Sequence, residues 1–291
     1  MIEQIGGMGP DNQGHAISTY RYLRLAIVVV VATLFASLGL ERAHATCWQG
    51  SISAYYYTPV HSVFVAALGV IGVALIAIRG NSLAEEIFLN MAGFLAPVVA
   101  FVPTAWSPTD CPSNLTGTSK RAVDQLLNGN HFFAKFSGNN LVAFLIGGIF
   151  AVVLASIVAK AAGKKDRLVP LDELVLPALA SAGLVVAGII WHSTWPASFN
   201  THAHSYAAIL MFLFVGIVVT LTALRASNLY KATYFTCAGA MLAGGLVFLL
   251  GSFATWQHKV LVVEGIEILA FSVFWFFQTI QLWDEGLPLA G

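Results

Sequence analysis

Charge is what this chain has least of. Asp, Glu, Lys and Arg make up 10% of its 291 residues, and hydrophobic residues make up 58%. A soluble globular chain carries about 25% charged and roughly 45–50% apolar residues. A water-exposed surface of ordinary size cannot be built from this composition, so the lipid bilayer is the expected solvent. The few charges sum to a formal net of +0, and no basic tract gathers them, which removes the electrostatic basis for a nucleic-acid partner. Cysteine is scarce too. Among Cys47, Cys111 and Cys237 no pair has metal-ligand spacing. No HExxH motif occurs, and Gly6-Gly7 and Gly9 do not follow a strand pattern. Neither a compact zinc-hydrolase motif nor a nucleotide loop is therefore indicated.

In place of charge the chain has long apolar runs. Eight lie near 23–40, 61–79, 86–103, 139–159, 173–191, 206–224, 233–252 and 260–282. About 18–20 apolar residues cross a bilayer, and lipid leaves a free backbone group without a partner, so such runs form helices. The expected fold is an all-α polytopic transmembrane bundle of eight spans. The first run follows a polar leader and exceeds the roughly 7–15 apolar residues of a cleavable signal. It reads as a retained span, preceded by a mobile cytoplasmic segment at residues 1–20. Small residues such as Ala240 and Gly244 suit close helix packing, and Pro97 is expected to kink the third span.

Lys and Arg set the orientation. Eight spans put both termini on one side, with Arg21, Arg24, Arg79, Lys160, Lys164, Lys165, Arg167, Arg225 and Lys231, nine in all. The other side holds five: Arg42, Lys120, Arg121, Lys135 and Lys259. This asymmetry favours cytoplasmic termini and a plasma-membrane protein. Cys47 and Cys111 then face an oxidising exterior, where a disulfide between them and two unpaired thiols are both open. Cys237, inside the seventh span, reads as a packing residue. Asn114-Leu-Thr is a glycosylation sequon, meaningful only in a secretory-pathway cell.

The two halves show signs of repetition, dividing the chain into four-helix units at 21–160 and 161–291. His61-Ser62 opens the second run and His204-Ser205 the sixth, with Trp48 and Trp191 at equal distance before them. Ala92-Gly93 answers Ala238-Gly239. The fourth and eighth runs align from His131 and His258, matching Gly138 with Gly265, Ala143 with Ala270, Phe144 with Phe271 and Phe150 with Phe277. A four-span repeat is parallel, and sites tend to lie between such repeats. Seven of the eight histidines fall on the outer side. His61, His131, His204 and His258 are expected either to converge on one outward centre or to stand as independent polar groups at helix ends.

Glu264 and Glu267 lie just inside the outer end of the last run, three residues apart and so on one helix face. Three readings stand. They are ligands of a divalent metal together with His61, His131, His204 or His258; they are proton-handling groups; or they hydrogen-bond to neighbouring helices or interfacial water. The stretch Cys47–His61, CWQGSISAYYYTPVH, is the densest polar-aromatic segment. Tyr55, Tyr56 and Tyr57 with Trp48 form either an interface belt or a binding lip in which Ser51, Ser53 and Thr58 supply hydrogen bonds. Trp191, Trp195 and Trp256 read as membrane anchors. His202 and His204 share a face on an extended segment, permitting a metal, and diverge on a helix; a solvated loop is the expected setting. Loop 104–138 is long for a helix connection, with a short surface helix expected at Ala122–Leu127.

Ser51, Ser53, Tyr55, Tyr56, Thr58, His131-Phe132, Glu264, Ala270-Phe271 and Trp275 together resemble a group of uncharacterised bacterial multi-spanning membrane proteins. Their marks are a Ser-x-Ser-x-Tyr-Tyr-x-Thr stretch before the second span and a Glu in the last. The resemblance covers most of spans two to four and span eight. Where the group carries Arg-Asp, this chain has His61-Ser62. It implies architecture and singles out His131 and Glu264, with no activity attached. A more distant comparison, with seven-span metal-dependent lipid hydrolases such as alkaline ceramidases, rests on a His-rich interface alone, since their His-x-x-x-His in the last span is missing. The leading expectation is a non-enzymatic integral membrane protein with an outward polar pocket of His131, Glu264, Glu267, His61, His204, His258, Tyr55 and Tyr56. It would bind a small solute, lipid headgroup or partner helix, or handle protons. A lipid-directed metal hydrolase and an accessory subunit of a membrane complex or oligomer are the alternatives.

Overall fold

Each apolar run coincides over most of its length with a helix of the computed structural model, which describes residues 10–105, 110–111, 132–161, 171–249 and 256–283. These helices are α1 (Pro10–His44), α2 (His61–Ala77), α3 (Leu83–Phe101), α4 (Phe132–Ala161), α5 (Leu171–Thr194), α6 (Pro196–Arg225), α7 (Asn228–Leu249) and α8 (Lys259–Gln281). A 3₁₀ turn, Ser53–Tyr57, precedes α2, and no strand occurs among the described residues. Among the described residues five helices are long and apolar enough to cross a membrane: α1, α3, α5, α6 and α8. Helix α2 and the stretch Gly138–Phe150 of α4 are apolar but shorter.

Six helices close a ring. Helix α1 packs on α2, α2 on α3, α3 on α6, α6 on α7, α7 on α8, and α8 returns to α1. Helices α4 and α5 stand outside this ring, both against α3, with α5 also touching α6. Their outward apolar residues, such as Val142, Ile149, Phe150, Leu179 and Val186, are exposed, as suits a lipid-facing surface. Ring residues including Ile27, Leu75, Ala92, Val219, Tyr234, Phe274 and Trp275 are almost fully buried. Within each half consecutive helices touch, but the ring takes the first three helices of the first half and the last three of the second. Across the halves the environments differ: Ala143 and Phe150 on α4 are exposed, whereas Ala270 on α8 is buried and Phe277 half-buried.

The α2–α3 contact is made backbone to backbone. A Cβ on Gly72 would come within 2.9 Å of the Gly93 carbonyl, and one on Gly93 within 2.8 Å of the Gly72 carbonyl. Pro97 stands inside α3 and has no N–H for the carbonyl four residues earlier, which is that of Gly93. Its ring also fills the space beside Gly72. At the opposite end of α3, Ser82 caps the helix by accepting from Glu85 N, and Glu85 pairs with Arg225 of α6 at 2.9 Å.

Three helix starts lie furthest from the sequence expectation. Helix α1 begins at Pro10, so the second half of the leader is helical. Tyr20 explains why the helix is held beyond the apolar run: it is buried, and its hydroxyl donates to the Arg79 carbonyl. Helix α4 begins at Phe132, inside the predicted loop. Helix α6 begins at Pro196, nearly three turns before the apolar run, because proline suits the first helical position. The expected surface helix at Ala122–Leu127, Asn114 and His131 lie outside the described residues.

Candidate functional site

The chain between α1 and α2 is folded into a compact cap, fastened at several points. Cys47 and Cys111 form a disulfide, where the sequence left open either this bond or two unpaired thiols. Gln49 acts as a substitute peptide unit: its Nε2 donates to the Cys111 carbonyl and its Oε1 accepts from Cys111 N, both at 3.0 Å. Gly50 N donates to Asp110 Oδ1 at 3.1 Å, and Leu261 N, at the start of α8, donates to the Gly50 carbonyl. A Cβ at Gly50 would come within 2.7 Å of Asp110 Oδ1, so any other residue there displaces that carboxylate from its bond to Gly50 N.

Glu264 reaches from α8 into the first turn of this cap. Its Oε2 accepts from Ile52 N at 2.5 Å and from Ser53 N at 3.3 Å, and its Oε1 accepts from Ser53 Oγ at 3.0 Å. Two successive backbone N–H groups and a hydroxyl thus converge on one carboxylate, the arrangement that makes a good anion holder. Ser51 and Thr58 complete the turn internally. Ser51 Oγ accepts from Ala54 N, and Thr58 Oγ1 donates to the Tyr55 carbonyl. They serve the fold of the cap rather than facing outward as ligand groups.

The tyrosines depart from both sequence readings. Tyr55, Tyr56 and Tyr57 are all buried, so they form neither an interface belt nor an open lip. Tyr57 donates its hydroxyl to the Thr104 carbonyl at 2.5 Å. Tyr56 meets His61 edge-on at 4.2 Å. Burial pushes all three phenols above their ordinary range, so they remain neutral. Trp195 and Trp256 are exposed, and Trp191 stacks on Tyr206.

The histidines divide among separate tasks. His61, the first residue of α2, directs Nδ1 to the Tyr56 carbonyl at 2.9 Å. His258, just before α8, lies 3.3 Å from the Gln49 carbonyl. His204 is buried within α6, where its Nδ1 meets the Val102 carbonyl at 2.6 Å beside the unsatisfied end of α3. His202 is on the same helix but exposed, stacked on Tyr206, so the HAH pair diverges on a helix rather than sharing an extended face or a loop. Among the described residues no group of three or more His, Cys, Asp or Glu side chains gathers as a metal set. His61, His204, His258 and Glu264 are therefore not brought to one metal centre.

Beneath Glu264 lies a cavity of about 50 Å³, several times the space one water needs. Its wall is apolar: Leu34 of α1, Phe64 and Leu68 of α2, Val99 of α3, Met211 and Val215 of α6, and Phe271 of α8, with Ser53 and Glu264 as the polar groups. The polar pocket expected from the sequence is thus an apolar chamber with one carboxylate. Glu267, one turn further along α8, is buried against Gly244 of α7, where any side chain would overlap its carboxylate. It lines a helix contact rather than the chamber.

No family model, curated protein or solved structure matches this chain. The site therefore rests on its geometry. Two sequence marks do meet in it, since Ser53 of the Ser-x-Ser-x-Tyr-Tyr-x-Thr stretch hydrogen-bonds to Glu264 of the last run. Sequence reasoning missed Gln49, Gly50 and Asp110, whose only signal was their nearness to Cys47 and Cys111. It also missed the chamber, whose lining residues belong to five helices and are indistinguishable from ordinary core residues in sequence.

Proposed function

We propose that this chain is a multi-pass integral protein of the plasma membrane, related to the multi-spanning bacterial group it resembles, with all eight helices crossing and both termini cytoplasmic. Its outer half binds a small ligand with an apolar body and a hydrogen-bond-donating or cationic head. The carrying observation is the Glu264 carboxylate on the wall of an otherwise apolar chamber. A carboxylate offers about four acceptor positions, and three donors reach Glu264 from the cap. One position remains for a ligand, and the apolar wall favours a hydrocarbon body over a fully polar solute. The disulfide supports the orientation, because such bonds persist on the oxidising side of a membrane.

Hexylammonium is a suitable probe. Calorimetric titration into the full-length protein in lipid nanodiscs is expected to give saturable binding above lipid partition, and Glu264→Gln is expected to return it to the partition baseline. Equal saturable binding by Glu264→Gln contradicts the assignment.

A further inference from the structure

We propose a second site, separate from the Glu264 chamber, in which Arg24 at the opposite end of the ring binds a phosphate group. Arg24 lies on α1 and is only 3% exposed. Its guanidinium sits 4.3 Å over the Tyr20 ring, and its Nε is buried without a hydrogen-bond partner. The ionisable groups that face it are the phenols of Tyr20 and Tyr234; no carboxylate among the described residues pairs with it. Those phenols donate elsewhere, to the Arg79 carbonyl and to Gln281 Oε1, so Tyr20 meets Arg24 as a neutral hydrogen-bond acceptor and brings no counter-charge. Among the acids at the same end whose side chains are described, Glu85 and Glu86 are engaged as well. Glu85 holds Arg225 and Asn81 N, and Glu86 holds Gly80 N and Asn90.

An unpaired buried charge is costly, and more so in a membrane. Arg21, one turn away on the same face of α1, repeats the pattern. It lies over the Trp283 ring and donates to the Trp283 carbonyl, while its own Nε is buried and unpartnered. Two guanidinium groups with spare N–H donors, set at the end of an apolar run beside Trp283, stand at the level of lipid phosphates. The guanidinium fork matches phosphate oxygens. The phosphate comes either from a lipid headgroup or from free ion. The competing counter-charge is the chain's own Asp284-Glu285, which follow Trp283 in sequence.

Thermal unfolding of the full-length protein in neutral detergent and phosphate-free buffer tests this. Phosphatidylglycerol in mixed micelles and inorganic phosphate are titrated separately, each against chloride at matched ionic strength. One of them is expected to raise the unfolding midpoint saturably, in the wild type and in the double variant Asp284→Asn, Glu285→Gln. Response to the lipid assigns a headgroup site, and response to phosphate a solute site. Arg24→Gln is expected to weaken the response about tenfold or more, the loss of a charge-assisted hydrogen bond, while Arg24→Lys keeps part of it. No wild-type response to either probe, or an undiminished response in Arg24→Gln, overturns the proposal. So does loss of the response in the Asp284→Asn, Glu285→Gln variant, which assigns the counter-charge to the chain itself. Should Arg24→Gln fail to fold, the wild-type and Arg24→Lys titrations carry the test.

Discussion

At the scale of single residues, Glu264 joins the cap to the bundle, and its partners differ in how much they contribute. Ser53→Ala removes one hydrogen bond to a charged group and is expected to cost about 1.5–3 kcal/mol, read as a lowered unfolding midpoint in detergent. Glu264→Ala removes all three bonds and leaves the Ile52 and Ser53 N–H groups without acceptors, so it is expected to cost more than Ser53→Ala. Equal stability of the two variants would show that the backbone donors find other acceptors. Gln49→Ala is expected to loosen the cap without touching the chamber, since its amide serves only the Cys111 backbone and the Gln49 carbonyl still faces His258. Glu264 was visible in the sequence because a carboxylate inside an apolar run is rare. Gln49 was not, because an amide beside a cysteine looks like any loop residue until its partner strand of chain is known.

At the scale of elements, the helices follow from apolar length and were read directly, while their ends were not. Helix starts at Pro10, Phe132 and Pro196 extend beyond the apolar runs, because a helix continues into polar sequence wherever residues such as Tyr20 are anchored. Pairing between helices depends on where backbones approach closely, and glycine marks this only in context. Gly93 is pressed against Ile76 and the Gly72 carbonyl, whereas Gly39 on α1 has nothing near its Cβ position. Gly93→Ala is therefore expected to push α2 from α3 and destabilise by about 1–3 kcal/mol. Gly39→Ala is expected to be neutral or to stabilise by about 0.5–1 kcal/mol through backbone entropy. Unfolding midpoints of the two variants, compared side by side, check the α2–α3 crossing. Sequence pointed to Ala240-x-x-x-Gly244 as a packing stripe. The structure gives Gly244 a sharper role, that of leaving room for the Glu267 carboxylate.

At the scale of the whole molecule, a ring of six helices surrounds an apolar chamber, and a disulfide-fastened cap closes one end. The histidine bias toward one face was legible in the sequence. Its meaning was not, since each described histidine of the proposed centre answers a different backbone carbonyl, and only folding reveals which. The Cys47–Cys111 link joins positions 64 residues apart, and its removal in the Cys47→Ser, Cys111→Ser variant is expected to cost about 2–4 kcal/mol, measured as midpoint loss under non-reducing conditions. The central claim is that the Glu264 carboxylate opens into a ligand chamber. Labelling with the apolar reagent dicyclohexylcarbodiimide in native membranes, located by peptide mass spectrometry, tests it most directly. The account predicts modification at Glu264 that hexylammonium suppresses in proportion to its concentration. An unmodified Glu264, or modification that hexylammonium leaves unchanged, contradicts it.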